Sequence, residues 1–346
     1  MIEKYGLTQF FKQQITDKDL IPARVTEMHK EQYKIISEYG ERSAKLKGSL
    51  FYNDKFNNIY PAVGDFVLVK HNPSGDDVIH LVLERKSKFS RRDSFNNIEQ
   101  VVATNFDYVF IMASLNNDFN PKRIERYLTA AWQSGGIPVV VLTKADLCED
   151  YSEHLRKTYE IAVGVEVIAV SAVTGEGLDD LSQYLKPAKT LVFLGSSGVG
   201  KSSLVNAIAG EEIMKVNVIR EDDSKGRHTT THRQLIMLKS GAMIIDTPGM
   251  RELGMWDVSV GLNETFSEID ELSKQCKFSD CTHRNEPNCA VKKAIENGEL
   301  PKERWENYLK LKKEAKFSDN KAVYLKEKTA FFKKVMKEHK NGGKKL

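Results

Sequence analysis

Eight consecutive residues restrict this chain more than any other feature. Gly195-Ser196-Ser197-Gly198-Val199-Gly200-Lys201-Ser202 satisfies the pattern G-x-x-x-x-G-K-[ST]. An apolar run, Leu191–Leu194, precedes it. A helical segment, Lys201–Ala209, comes next and is closed by Gly210. Strand, glycine loop and helix in that order make a cradle for phosphate. Glycines let backbone N–H groups approach phosphate oxygens, and the helix N-terminus adds a positive dipole. Lys201 supplies charge to the outer phosphates, the Ser202 hydroxyl suits Mg2+, and Ser203 completes the stretch.

The flanking pattern agrees. From Tyr108 the chain alternates apolar runs of strand length with amphipathic segments: Tyr108–Ala113, Pro121–Gln133, Pro138–Leu142, Val165–Val170, Leu178–Leu185, then Leu191–Leu194. Leu235–Leu238 and Ala242–Ile245 read as further strands. Such alternation predicts a mostly parallel sheet covered by helices.

A phosphate loop does not choose a base. Thr143-Lys144-Ala145-Asp146, at the end of the run Pro138–Leu142, has the form of the guanine-reading [N/T]KxD motif. A carboxylate at Asp146 accepts from guanine N1–H and its exocyclic amine, a donor pair that adenine lacks. Lys144 would lay its aliphatic stem along the base. Thr143 stands where Asn is usual, which predicts the loss of one contact to the base or the phosphate loop. Ser171-Ala172 after Val165–Val170 resembles the SAx segment that backs the guanine. Asp246-Thr247-Pro248-Gly249 resembles DxxG, with Asp246 toward Mg2+ and the Gly249 N–H toward the γ-phosphate. Between them, Gly226-Arg227-His228-Thr229-Thr230-Thr231 is where a first switch belongs. Thr230 is the expected Mg2+ ligand there, with Thr229 and Thr231 as alternatives.

The order of these motifs is diagnostic. In ordinary GTPases the phosphate loop comes first and the base-reading segments last. Here TKAD and SAV precede the loop and DTPG comes after it, a circular permutation. Termini that lie close together make such a permutation tolerable. It also places the second switch within about 30 residues of the cysteine-rich segment, so nucleotide state is expected to reposition the C-terminal domain that bears those cysteines.

Upstream, from Ile21 to about Arg85, short β-rich runs (Ala23–Met28, Tyr33–Ser37, Phe66–Lys70, Val78–Leu83) are separated by turn-formers. They predict a small β-barrel, with the oligonucleotide-binding type one option. Residues 86–104 read as a polar connector. Downstream, Cys276-x4-Cys281-x-His283-x5-Cys289 supplies three thiolates and one imidazole, a complete tetrahedral set for a structural Zn2+. Cys148 falls outside it and reads as a buried or half-buried thiol.

At 346 residues, several domains are expected: a leader (1–20), an OB-type barrel (21–90), a circularly permuted α/β P-loop GTPase (91–262) and a zinc-binding helical domain with basic C-terminal helices (263–346). The longest apolar runs are strand-sized, well short of the ~20 residues a bilayer requires. The first twenty residues lack the continuous apolar core of a secretory signal. With clustered cysteines this predicts a cytoplasmic, membrane-free protein. Net charge is only +4, yet residues 310–346 carry thirteen Lys against four acidic residues, leaving the body mildly acidic. A basic tail on an acidic body suggests an anionic partner.

Met250 stands directly after DTPG, where many GTPases place a water-orienting Gln. The chain is therefore a slow GTPase, or another residue positions water, and His228 is the candidate. Taken together, residues 20 to 340 resemble the circularly permuted, small-ribosomal-subunit-dependent GTPases of the RsgA family. The resemblance rests on TKAD, GSSGVGKSS, GRHTTT, DTPG and the Cys/Cys/His/Cys set. It implies a barrel, a GTPase and a zinc domain in that order. It also implies binding to small-subunit rRNA late in maturation, hydrolysis of GTP to GDP stimulated by that subunit, and a water-positioning role for His228; a monomeric state is expected. The readings it competes with are an RNA-binding protein with a vestigial GTPase, disfavoured by intact Lys201, Ser202, Asp246 and Asp146, and an ATP-dependent P-loop enzyme, disfavoured by Asp146.

Overall fold

The computed structural model describes residues 1–29, 32–48, 60–92, 99–215, 233–246, 259–283 and 286–315. His228, Thr229, Thr230, Thr231, Gly249, Met250 and the basic tail beyond residue 315 lie outside them. Packing divides the chain into two compact units, Met1–Arg91 with Gln100–Leu253, and Arg92–Glu99 with Gly254–Leu346.

The first unit opens on a 3-10 turn (Ile2–Tyr5) and the single-turn helix α1 (Gln9–Lys12). Five strands come next: β1 (Ile21–His29), β2 (Gln32–Ser37), β3 (Gly40–Leu46), β4 (Phe66–Lys70) and β5 (Asp77–Val82). Their hydrogen-bonded order β1-β2-β3-β5-β4 closes on itself because β1 also pairs with β4, and β3–β5 is the one parallel pair. This is a five-stranded barrel of the oligonucleotide-binding type. Ala23, Val25, Tyr33, Ile35, Ala44, Val67, Val69 and Ile79 fill its interior. β3 was not among the expected runs: GERSAKL buries only Ala44 fully, so it lacks an apolar signature.

The connector carries two strands, β6 (Lys88–Arg92) and β7 (Glu99–Thr104), paired as a separate ribbon. Then come β8 (Tyr108–Ser114), α2 (Pro121–Ser134), β9 (Ile137–Thr143), α3 (Ser152–Ile161), β10 (Glu166–Val170), a 3-10 segment (Asp179–Tyr184), β11 (Thr190–Gly195), α4 (Lys201–Ala209), β12 (Arg233–Met237) and β13 (Met243–Asp246). The expected helix Leu178–Leu185 is that 3-10 segment. α2 begins where Asn120 accepts from the Arg123 N–H at 3.2 Å with Pro121 in the first turn, and ends at Gly135 with φ 81.

β10-β9-β8-β11-β13 run parallel, with β12 antiparallel beside β13. Both faces are covered, which is why these strands are continuously apolar. Alternate β8 residues go to opposite cores: Val109 and Ile111 pack with Val140, Leu142 and Val192, while Phe110 and Met112 pack with Val139, Val141 and Phe193. Burying each such side chain contributes about 1.5–3 kcal/mol.

Barrel and sheet are one hydrogen-bonded surface, because β1 also pairs antiparallel with β12 through Glu27↔Gln234 and Met28↔Arg233. Under this seam Arg24 is 1% exposed and donates to the carbonyls of Tyr5, Gly64 and Asn105 and to the Thr190 hydroxyl. Burial lowers its pKa to about 10, opposed by the charges of Asp107 and Asp65.

From residue 259 the described part of the second unit is helical: α5 (Ser259–Thr265), α6 (Ser267–Lys274), α7 (Ala290–Glu296) and α8 (302–315). Its core is small, centred on Leu262, Phe266, Ile269, Val291 and Leu311. Among the described residues no helix is long and apolar enough to cross a membrane.

Candidate nucleotide site and metal centre

Parallel strands bring their C-terminal ends to one edge. β8 ends at Ser114, β9 at Thr143, β10 at Val170, β11 at Gly195 and β13 at Asp246. TKAD, SAV, the phosphate loop and Asp246 therefore meet there despite their separation in sequence. The chain builds outward from β8 to β10, then returns to β11 on the other side of β8. β8/β11 is thus the topological switch point, outside which open α/β sheets hold ligands.

The phosphate loop has the backbone its glycines predict. Gly198 and Gly200 have φ 73 and 101, values that L side chains rarely adopt. The Gly200 carbonyl accepts the first helical bond from the Leu204 N–H at 2.9 Å. Lys201 Nζ is 2.5 Å from Asp246 Oδ1, and Asp246 is only 3% exposed. The Lys201 ammonium is thus held by the Asp246 carboxylate. Both groups suit a Mg2+–triphosphate, which offers charge of each sign to replace the pair.

The TKAD segment is tied to the same loop. The Thr143 hydroxyl donates to the Val199 carbonyl at 2.5 Å. Of the two contacts that threonine was expected to put at risk, to the base or to the phosphate loop, the one to the loop is made, since the hydroxyl reaches the loop backbone. Lys144 has φ 63, a left-handed conformation that costs on the order of 1 kcal/mol for a residue with a Cβ. Ala145 is buried and Asp146 exposed. The Ser171 hydroxyl donates to Asp146 Oδ1 at 2.5 Å while accepting from the N–H groups of Val173 and Thr174 at 3.2 and 3.1 Å. The TKAD and SAV segments, about 25 residues apart, are thereby joined, with Ala172 half-buried beside them. Tyr151 closes the arrangement by donating to Glu176 Oε1 at 2.8 Å.

The sequence motifs do not single out Asp118, in the loop after β8. Asp118 Oδ2 accepts from the Ser196 hydroxyl at 2.8 Å and from Arg123 Nη1 at 2.7 Å, and Oδ1 accepts from Arg123 Nη2 at 3.0 Å. Its only sequence signal is a polar Asn116-Asn117-Asp118 turn directly after an apolar strand.

In the second unit, the four predicted metal ligands converge. The ligand atoms of Cys276, Cys281, His283 and Cys289 all lie within 4.8 Å of one another. Cys276 Sγ is 3.9 Å from Cys289 Sγ, and His283 Nδ1 is 3.5 and 3.4 Å from those two sulfurs. A tetrahedral ion with Zn–S of about 2.3 Å separates its ligand atoms by roughly 3.5–3.8 Å, so the set fits such an ion. Ser273 donates to the Ile269 carbonyl at 2.7 Å and lies 3.3 Å from His283 Nε2. With its own proton engaged, Ser273 accepts from Nε2–H, which leaves Nδ1 free as a ligand. Burial also lowers the His283 pKa, favouring the neutral ring.

The sequence pattern of the family described as RsgA GTPase matches residues 82–256. The small ribosomal subunit biogenesis GTPase RsgA 1 of Listeria monocytogenes is 48% identical over 314 residues, 91% of this chain and 89% of that protein. The crystal structure of YjeQ from Thermotoga maritima has a TM-score of 0.64 at 32% identity, covering 84% of this chain and 97% of that one. That of YloQ, described as a circularly permuted GTPase, has a TM-score of 0.60 at 26% identity, covering 87% and 97%.

Proposed function

This chain belongs to the RsgA GTPase family, and from that premise we propose that it hydrolyses GTP to GDP and phosphate in the late maturation of the small ribosomal subunit. One observation carries the nucleotide part: guanine segment and phosphate loop meet at the switch point, joined by the Thr143–Val199 hydrogen bond. The ribosomal part rests on what relatives such as the Listeria protein are named for.

In this reading Asp146 and Lys144 hold the guanine, with Ser171 orienting Asp146 and the Ala172 backbone behind the base. The N–H groups from Ser196 to Ser203 and the Lys201 ammonium bind the phosphates, and the Gly249 N–H meets the γ-phosphate. Ser202, Asp246 and Thr230 would hold Mg2+, which supplies positive charge against the charge spread over the transferring phosphoryl group. His228 positions the attacking water. Catalysis is then mainly positioning and electrostatics, and the bound subunit completes the site, a step worth about 10³–10⁵ in rate where a partner supplies missing groups. The barrel and basic tail bind rRNA, with an affinity that falls steeply with salt. Cys276, Cys281, His283 and Cys289 hold one structural Zn2+. The protein acts as a cytoplasmic monomer.

The deciding experiment is GTP turnover by the purified protein with and without isolated small subunits, with ATP and large subunits as controls and metal content measured on the same sample. Stimulation by small subunits alone supports the reading. GTP binding without stimulation removes the ribosomal part.

A further inference from the structure

We propose that Asp118 is a positioning residue for the nucleotide: its carboxylate braces the phosphate loop across the switch point and sets how tightly guanine nucleotide is held, not how fast it is hydrolysed. The proposal rests on the nucleotide reading above and adds a residue that none of the motifs contains.

Asp118 lies beyond the end of β8 and Ser196 beyond the end of β11, the two parallel strands at which the order of strand addition reverses. The Asp118–Ser196 hydrogen bond therefore spans the mouth of the crevice where a ligand binds. Asp118 is itself held. Asp118 N–H donates to Asn116 Oδ1 at 3.0 Å, and Asn116 Oδ1 also accepts from the Ser114 hydroxyl at 2.8 Å. Both Asp118 oxygens are engaged by Arg123 in the first turn of α2, a helix whose start is set by the Asn120 cap. The fork-to-fork geometry leaves the carboxylate one orientation.

Two further facts favour a role in binding over one in folding. The Asp118 and Arg123 side chains are 48% and 32% exposed. An ion pair that open to water contributes little to stability, so its fixed geometry is not a requirement of the core. A carboxylate beside an anion-binding loop would repel phosphate, and Arg123 cancels that charge. Asp118 ionises below its ordinary range, through the Arg123 hydrogen bond first; burial, the next largest effect, opposes it, and the Ser196 hydrogen bond and the charges of Arg123 and Lys144 add to the lowering. Lys144 is thus close enough to feel the same carboxylate, which links loop and base segment. Together with Thr143–Val199, the brace anchors the loop at Ser196 and at Val199, one contact on each side of Gly198. A loop held before the ligand arrives loses less entropy on binding, and the gain is the same for GDP and GTP.

The test is equilibrium binding of fluorescent GDP, a non-hydrolysable GTP analogue and ADP to the full chain, with turnover and thermal melting of the same samples. The variants are Asp118→Ala, Ser196→Ala, the double variant and Asp118→Asn, which keeps an acceptor oxygen for Ser196. Asp118→Ala and Ser196→Ala should each weaken both guanine nucleotides by about five- to tenfold, a charge-assisted hydrogen bond discounted for its exposure. The double variant should be no worse than either single one, Asp118→Asn should recover most of the loss, and KM should rise without a matching fall in kcat. Wild-type affinity in Asp118→Ala, additive losses in the double variant, or a fall in kcat at unchanged KM would overturn the brace. Equal wild-type affinity for ADP and GDP would instead overturn the guanine reading, and the same variants would still read the brace on either nucleotide.

Discussion

The hydroxyl of Thr143 donates to the carbonyl of Val199 at 2.5 Å, so the first residue of the TKAD segment holds the glycine-rich loop by its backbone. Threonine and asparagine both offer a donor at this point. What threonine lacks is the length of an amide, and the parallel pairing of β9 to β8 and of β8 to β11 brings the two backbones close enough for the shorter group.

Thr143→Val keeps the shape and removes the donor. The Val199 carbonyl then loses a buried partner, which costs about 1–3 kcal/mol. Affinity for guanine and adenine nucleotides should fall together by about tenfold, and Thr143→Ser should recover it. Competition binding with both bases checks this.

Ser171→Ala acts on the base alone. Without its hydroxyl, Asp146 loses the contact that aims its carboxylate. The preference for GDP over ADP should narrow by about tenfold, by the measure of one charge-assisted hydrogen bond, while the phosphate contribution is kept. A selectivity ratio that moves with Ser171 and not with Thr143 separates the two roles.

Asp246→Asn removes the charge that neutralises Lys201 across 2.5 Å. Turnover should fall by about 10²–10³, the range for losing one electrostatic contact to a reacting group. The Mg2+ concentration needed for half-maximal rate should rise, because an amide is a poorer partner for a hard cation. A magnesium titration of turnover reads both effects.

Removing the metal should unfold the second unit locally, since its apolar core is small beside the binding energy of a structural zinc, about 10–16 kcal/mol in small domains. Hydrogen exchange over 259–315 should lose protection with a strong chelator, while protection of β8 to β11 persists. Ser273→Ala should weaken metal affinity by about 10–100-fold through the freed His283 ring.

Arg24→Met should destabilise the first unit by about 1–3 kcal/mol for each acceptor left unpaired, because the Tyr5 and Asn105 carbonyls lose this donor, while Gly64 keeps Asn105 Nδ2, Asp65 keeps Arg85, and Asp107 keeps Lys86 and Lys189. Arg24→Lys should not rescue it, since one ammonium cannot reach groups spread around a planar fork. Chemical denaturation followed by near-ultraviolet dichroism measures both.

Whatever depends on neighbours in the chain was legible in the sequence. Positive φ at Gly198 and Gly200 comes from the G-x-x-x-x-G-K-S spacing, and the both-sides-buried strands from their apolar runs. The metal set comes from close Cys and His spacing, and the permuted order is a property of the chain itself. Short-range constraints act whatever the rest of the molecule does. Strand pairing and polar contacts between distant segments have no such signature. β3 joins a barrel with one fully buried side chain because β2 and β5 offer their backbone edges to it. β1 pairs with β12 although some 200 residues separate them, and only closure of the sheet brings those edges together. The Asp118–Ser196 hydrogen bond spans 78 positions and depends on two loops leaving adjacent parallel strands at the switch point. Ser273 selects the ligand nitrogen of His283 only once α6 has turned it toward the ring. Backbone and side-chain hydrogen bonds are short and directional, so which distant groups form them is decided by the topology that brings them within about 3 Å.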